Sequence, residues 1–119
     1  MRKVILDTSF ILSCIRNKID FFEDISLMGI KIIVPYEVIS EILRFKDKKI
    51  ESRIAMALID KNQKIFERLK LGKGHVDSLI IKYANSENDL IVATLDKEIK
   101  EKISGKAMVI REKKRLEII

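Results

Sequence analysis

The sequence has one cysteine, one proline, one histidine and four glycines among its 119 residues. A lone Cys14 cannot form an internal disulfide or a thiolate zinc site, so we expect a reducing compartment, the cytoplasm. So few glycines and prolines leave no low-complexity linker, and we expect a single domain spanning residues 1–119. No apolar run of about 18 residues and no basic-then-apolar leader occur, so we expect no membrane partner and no processing.

Positive charge is in excess. The chain has 24 Lys and Arg against 18 Asp and Glu, a net charge of +6. Such a surplus attracts polyanions and makes phosphate backbones candidate partners. The cations concentrate in residues 44–53, 97–102 and 111–115. Each run taken alone is more typical of a solvated helix face or chain end.

Short apolar segments alternate with helical patterns along the chain. We predict strands at residues 2–7, 31–35, 89–94 and 107–110 and a short edge strand at 68–71, with helices from about residue 9, then at 36–45, 51–68, 75–85 and 96–103. Strands that are almost wholly apolar are covered on both faces. The pattern therefore predicts the α/β class, as a three-layer α/β/α arrangement around a parallel sheet of four to five strands.

Two aspartates come directly after predicted strands. Asp7 follows "RKVIL". Asp96 is separated by Leu95 alone from the strand that ends in "IVAT". Ligands of open parallel sheets bind outside the carboxyl ends of the strands, so both positions are candidate functional sites. Helix capping is the alternative for either residue alone, because Asp is favoured at helix N-termini.

Two further acids lie on predicted helices. Glu41 borders the apolar arc of its helix, too far along it to cap; a surface ion pair with Arg44 or Lys48 is its alternative reading. Asp77 falls inside the apolar sector of the helix predicted at 75–85, where an unpaired charge would be costly. A cap in the first turn is again the alternative.

Four carboxylates gathered at one place would repel one another. Two like charges about 4 Å apart cost roughly 4 kcal/mol at an effective dielectric near 20. Mg²⁺ or Mn²⁺ would offset this repulsion through the oxygen ligands that these ions prefer, whereas zinc or copper would call for His and Cys ligands. Setting the four acids aside leaves 14 acidic residues against 24 basic ones. An acidic site in a basic surface is typical of a nucleic-acid hydrolase.

The chain resembles the PIN-domain nucleases, small α/β proteins with an acidic metal site that cut RNA. The resemblance covers most of the sequence and is carried by "ILDTSFIL", "VPYEVISEI", "VDSLIIKYA" and "IVATLDKEIK". The segments "GKGHVDS" and "REKKRL" are most similar to the archaeal ribosomal-RNA-processing branch, and less to the VapC-type toxins. That branch commonly has a second Asp where this chain has Ser78. The number of metal ions that the site holds, one or two, is therefore open.

The resemblance implies a metal-dependent endoribonuclease that acts on structured or ribosomal RNA, with a homodimer as a family-level expectation. Asp7, Glu41, Asp77 and Asp96 would hold Mg²⁺ or Mn²⁺, and Thr94 would complete the catalytic set by hydrogen-bonding a metal ligand or water. Thr8 or Ser9 would orient Asp7, although a turn or cap is the alternative, favoured for Ser9.

Other side chains have narrower predictions. Phosphate contacts are expected from four lysines, Lys46, Lys48, Lys49 and Lys97. Glu98 is expected to pair with Lys102 four residues on rather than to join the site. Most of the aromatic residues fit core packing better than base stacking, and a dimer surface is the alternative for Tyr36 or Tyr83.

Two other functions remain as alternatives. Ser78 and the positive charge favour a non-catalytic RNA-binding scaffold with a PIN-like fold. A phospho-accepting receiver domain fits poorly, because it needs two acids at the end of the first strand and another after a middle strand, whereas Asp7 stands alone and "KIIVP" ends without Asp.

Overall fold

A computed structural model describes residues 2–119 as a six-stranded sheet with six helices. The strands are β1 (Lys3–Leu6), β2 (Lys31–Pro35), β3 (Phe66–Leu69), β4 (Leu90–Ala93), β5 (Ala107–Arg111) and β6 (Arg115–Ile118). The helices are α1 (Thr8–Arg16), α2 (Phe21–Leu27), α3 (Tyr36–Arg44), α4 (Ile50–Lys61), α5 (Val76–Ser86) and α6 (Lys97–Lys102).

The strand order is β3-β2-β1-β4-β5-β6, and every pair is parallel except β5 with β6. The chain first moves outward from β1 to β3, then returns to β4 on the other side of β1. Right-handed crossovers therefore place α1 to α4 on one face and α5 and α6 on the other. The order reverses between β1 and β4, and the crevice at the carboxyl ends of such a strand pair is the usual ligand site of an open α/β sheet.

The core lies on both faces of the central strands. All four residues of β4, and all but the first of β1 and β2, are buried. Three fully buried aromatics, Phe10, Phe21 and Phe22, pack beside them, and the ring of Phe22 stacks on that of Phe66 at 5.6 Å between centroids. Each such side chain contributes about 1.5–3 kcal/mol of burial free energy, which fixes the strand ends that carry the polar residues.

The predicted class and the parallel sheet are confirmed, and the sheet has a sixth strand beyond the four to five expected. The helix predicted over 51–68 is wrong beyond Lys61. Asn62 ends it, because its side-chain amide donates to the Leu58 carbonyl oxygen at 2.8 Å. The edge strand consequently begins at Phe66 rather than Arg68. Helix α2 and strand β6 were not predicted. Within residues 2–119, no helix has both the length and the apolarity needed to span a bilayer.

Candidate active site

Asp7 lies at the junction of β1 and β4, where the sheet order reverses. Its backbone N–H donates to the Ala93 carbonyl oxygen at 3.0 Å, which continues the ladder one residue past β1. The residue is only 3% exposed. Its Oδ1 accepts from the Thr8 backbone N–H at 2.8 Å, and its Oδ2 accepts from the Ser9 hydroxyl at 2.9 Å. Asp7 is thus a buried carboxylate oriented from both sides.

Thr94 ties Asp7 to the end of β4. Thr94 is fully buried, and its hydroxyl donates to Asp7 Oδ2 at 2.7 Å. The Thr94 hydroxyl oxygen in turn accepts from the Asp96 backbone N–H at 3.0 Å. A second tie runs through Ser9, whose hydroxyl oxygen accepts from the Leu95 backbone N–H at 3.3 Å. The two strand ends, and with them two of the predicted acids, are therefore held in a fixed relation.

Burial raises the pKa of the Asp7 carboxyl above its ordinary value. The hydrogen bonds from Thr94, Ser9 and the Thr8 amide oppose this shift, while the negative charge of Glu41 adds to it. Within residues 2–119, no lysine, arginine or histidine forms an ion pair with Asp7. A buried carboxylate without a counter-charge is costly, so this position favours a bound cation.

Asp77 is exposed in the first turn of α5, which contradicts the expectation that it would lie in the apolar sector. The helical wheel orients a residue within its own helix and does not show whether another element covers it. Although the residue is exposed, the carboxyl is partly withdrawn from water, which raises the pKa of Asp77, and the charges of Asp7, Asp96 and Glu41 raise it further. All four predicted acids therefore lie close enough for their charges to interact.

Asp96 and Asp77 line a common cavity of about 200 Å³, together with His75, Ser78 and Glu98. Asp96 is half-buried, and its Oδ1 accepts from the Glu98 backbone N–H at 2.9 Å, which caps α6. The capping interpretations of Asp7 and Asp96 are thus confirmed. For Asp96 the cap uses one carboxylate oxygen; the other has no hydrogen bond within the described part of the chain, so capping leaves it free for a ligand.

Glu41 is half-buried on α3 and, among residues 2–119, forms no ion pair with Arg44 or Lys48. Glu37, one turn earlier, has a different role. Its carboxylate accepts from the backbone N–H groups of Leu71 and Gly72 at 3.0–3.1 Å. Partial burial alone would raise the pKa of Glu37, but these two hydrogen bonds outweigh it and lower the pKa.

The donor chemistry at this edge fits a hard divalent cation. The four candidate ligands offer carboxylate oxygens, and the Thr8 hydroxyl oxygen beside Asp7 is buried without a hydrogen-bond partner. Cys14 is buried in α1 away from them. Their oxygens do not converge closely: no three His, Cys, Asp or Glu side chains in residues 2–119 form a ready-made metal site. The arrangement is an acidic cluster centred on the hydrogen-bonded Asp7. The other three carboxylates, those of Glu41, Asp77 and Asp96, lie around it and are more exposed than Asp7.

The predicted phosphate-binding lysines are all exposed. Lys46, Lys48 and Lys49 lie in the turn between α3 and α4, and the Lys49 ammonium is 4.9 Å from the centroid of the Phe45 ring. Lys97 begins α6, next to Asp96. Their contacts with RNA stay a prediction. The expected pair between Glu98 and Lys102 is confirmed at 2.7 Å.

Two residues differ from their predicted roles. Ser9 was favoured as a turn or cap residue, yet its side-chain hydroxyl donates to Asp7. Tyr36, for which core packing was favoured and a dimer surface was the alternative, is 49% exposed and so lies outside the core. A signal for both was present in the sequence: Ser9 lies three residues after the end of β1 and Tyr36 directly after β2, at the edge where ligands of parallel sheets bind.

Comparison with known proteins identifies the family. The family model described as "PIN like domain" matches residues 4–115. Ribonuclease VapC4 of Methanocaldococcus jannaschii is 32% identical, over 99% of this chain and 97% of that protein. The structure of the PIN domain endonuclease Utp24 superposes with a TM-score of 0.79 and 24% identity, covering 98% of this chain and 90% of that one. DNA-bound VapBC from Salmonella typhimurium gives a TM-score of 0.63 at 20% identity, over 88% and 95% of the two chains. This chain belongs to the PIN-like domain family.

Proposed function

We propose that the protein is a divalent-metal-dependent endoribonuclease whose active centre is the acidic cluster at the β1–β4 junction. The observation that carries the proposal is the hydrogen bond from Thr94 to the buried Asp7, which has no ion pair within residues 2–119 and whose charge acts on Asp77 together with those of Glu41 and Asp96. Membership of the PIN-like family and the 32% identity to a ribonuclease support the same reaction.

Each acidic side chain has a distinct part in this proposal. Asp7 is the fixed ligand, since three hydrogen bonds hold its two oxygens. Asp77 and Asp96 have exposed or half-buried carboxylates on the rim of one cavity, so they adjust to the ion and to the substrate. Glu41 lies on α3, on the face of the sheet opposite to α5 and α6. Thr94 positions Asp7 and the Asp96 backbone rather than reacting itself.

PIN nucleases generally use divalent metal ions, and an oxygen-only donor set is the type that Mg²⁺ and Mn²⁺ prefer. When bound, such an ion supplies Lewis acidity at the scissile phosphate and offsets its negative charge. Asp7, Glu41, Asp77 and Asp96 would hold such an ion. The repulsion among them, which adds to burial in raising the pKa of Asp77, would then be offset.

Two biological assignments rest on different observations. The resemblance of "GKGHVDS" and "REKKRL" to the archaeal ribosomal-RNA-processing branch supports ribosomal-RNA processing, which we propose as the role. The 32% identity to Ribonuclease VapC4 supports a VapC-type toxin as the second candidate. Induced expression in a host separates them, because a toxin arrests growth in an Asp7-dependent way, whereas a processing enzyme trims one precursor RNA.

The reaction is tested with purified protein and end-labelled structured RNA in Mg²⁺ or Mn²⁺. We expect discrete cleavage products from the wild type and loss of cleavage in an Asp7→Asn, Asp96→Asn double variant. Glu67→Gln is the matched control. Glu67 lies on the edge strand β3, two strands away from β1, and its exposed carboxylate pairs with Lys31 of β2. Equal cleavage by the wild type and the double variant, or equal cleavage in excess chelator, would overturn the proposal.

A further inference from the structure

An open groove of about 520 Å³ lies between α3, along its whole length, and the loop that precedes α5. Its volume falls within the range of about 300–1,000 Å³ that is usual for ligand sites. Six residues line it: Tyr36, Glu37, Ser40, Arg44, Lys70 and Val76. None of them belongs to the acidic cluster or to the predicted phosphate-binding lysines.

The groove adjoins the acidic cluster at two points. Ser40 directly precedes Glu41 on α3, and Val76 directly precedes Asp77 on α5. The groove is therefore one residue along the chain from Glu41 on α3 and from Asp77 on α5. A ligand in the groove lies beside the two helices that carry these acids.

Tyr36 supplies an aromatic surface in this groove. It is the first residue of α3, directly after β2, so it is placed at the carboxyl edge of the sheet. About half of it, 49%, is exposed although a ring of this size usually packs in the core. An exposed aromatic in an open groove is the usual platform on which an unpaired base stacks.

Two cations flank the aromatic surface. Arg44 and Lys70 are exposed, and neither forms an ion pair within residues 2–119. Glu37 lines the same groove and keeps its negative charge, which the nearby Lys70 helps to stabilise, so two positive charges face one negative charge there. The hydrogen bonds from the Leu71 and Gly72 backbone N–H groups to Glu37 also hold the loop that carries Lys70. A net positive charge beside an aromatic surface is the arrangement that binds a single-stranded phosphate backbone.

We propose that this groove binds an unpaired nucleotide of the RNA substrate adjoining the cleavage site, with its base on Tyr36 and its phosphates at Arg44 and Lys70. The inference rests on the proposed ribonuclease function and adds to it a subsite for one base at Tyr36, outside the acidic cluster. A paired base is already stacked and cannot occupy the groove without melting.

The base contact is tested by binding of an RNA with 2-aminopurine at one loop position to a cleavage-deficient Asp96→Asn protein. Stacking on an aromatic is worth about 5- to 150-fold in affinity. We expect Tyr36→Leu to weaken binding about tenfold and to abolish the quenching of 2-aminopurine, while Tyr36→Trp retains both. Tyr83→Leu is the matched control, since Tyr83 lines a different cavity. Unchanged affinity and quenching in Tyr36→Leu would overturn the proposal.

The phosphate contacts are tested by the salt dependence of the same affinity. The slope of log affinity against log salt falls by about 0.7 for each lost contact to a single strand. Arg44→Gln and Lys70→Gln should each lower it, whereas Lys106→Gln, at the opposite edge of the sheet, should leave it unchanged. Equal slopes for all three variants would contradict the phosphate assignment.

Cleavage kinetics separate the two proposals. In an otherwise active protein, Tyr36→Leu should raise KM about tenfold and leave kcat within about twofold, because the contact binds substrate without touching the reacting atoms. Cleavage with an unchanged KM would reject the groove and keep the nuclease. Binding that depends on Tyr36 without any metal-dependent cleavage would reject the nuclease and keep RNA in the groove.

Discussion

Thr94 donates a 2.7 Å hydrogen bond to Asp7 across 87 positions of sequence. The two residues are neighbours because β1 pairs with β4 in parallel, with Leu6 opposite Ala93. One hydroxyl thereby fixes the carboxylate at one strand end and the backbone of Asp96 at the other. The contact joins the topology of the sheet to the chemistry of the site.

Replacement of Thr94 by valine should disable the site. Val keeps the shape but leaves Asp7 Oδ2 and the Asp96 amide each short of one hydrogen bond, which costs about 1–3 kcal/mol of unfolding free energy. Metal affinity or activity should fall roughly 10- to 100-fold, as for other groups that orient metal ligands. Thr94→Ser retains the hydroxyl and should recover most of both. Urea unfolding and cleavage rates measure the two effects, and a Val variant as active as the wild type would contradict the assigned role.

The adjacent hydroxyls of Thr8 and Ser9 should respond oppositely to removal. Ser9 bonds both Asp7 and the Leu95 amide, so Ser9→Ala should lower unfolding free energy by about 1 kcal/mol. The Thr8 hydroxyl is buried without a partner in the described chain, so Thr8→Val should leave stability unchanged or raise it. Chemical denaturation of the two metal-free variants compares them directly. A larger loss for Thr8→Val than for Ser9→Ala would show the assignment to be wrong.

Metal-free stability should depend on Asp7 with a defined sign. The pKa of Asp7 is raised in the folded state above its ordinary value of 3.8, so the folded protein binds more protons than the unfolded one just above that pH. Its contribution to stability is therefore lost as pH rises from about 3.8 through the raised pKa. In chelator, the stability of Asp7→Asn relative to wild type should increase over that interval. A difference between the two proteins that is flat with pH would contradict the raised pKa.

Glu37 should show the reverse pH dependence. Its pKa is lowered below the ordinary 4.5, so its contribution is present above pH 4.5 and is lost as pH falls through the folded pKa. Glu37→Gln should cost about 1 kcal/mol at neutral pH, because the amide accepts less well from the Leu71 and Gly72 backbone N–H groups. Hydrogen exchange of those two amides provides the readout. Exchange unchanged from the wild type would exclude the bond as a stabiliser of the loop.

The main elements of the fold were predictable because their signals are local. Strand β2 coincides with the predicted residues 31–35, and β1 and β4 differ from prediction only at their ends. Strand β6 was missed although Leu116 and Ile118 alternate with charged residues, because four basic residues around its turn suggested a frayed end. Helix α2 was also missed. It begins after Asp20, whose side chain caps it by accepting from the Glu23 backbone N–H.

The site was predictable in its members and less so in their surroundings. A wheel describes one helix at a time, so it could not foresee that Asp77 would be exposed or that Glu37 would meet a loop 34 residues away. The glycines of that loop have a similar explanation. Gly72 and Gly74 adopt φ of +123° and +132°, a conformation that favours glycine and that brings the Gly72 amide to Glu37.

Anomalous diffraction from crystals soaked in Mn²⁺ tests the central claim most directly, because it locates the ion independently of activity. We predict a manganese peak within coordination distance of an Asp7 oxygen, with Asp77 and Asp96 turned toward it, and loss of that peak in Asp7→Asn crystals. Absence of manganese from the β1–β4 junction at a concentration that saturates cleavage, or a peak only at some other surface, would contradict the account.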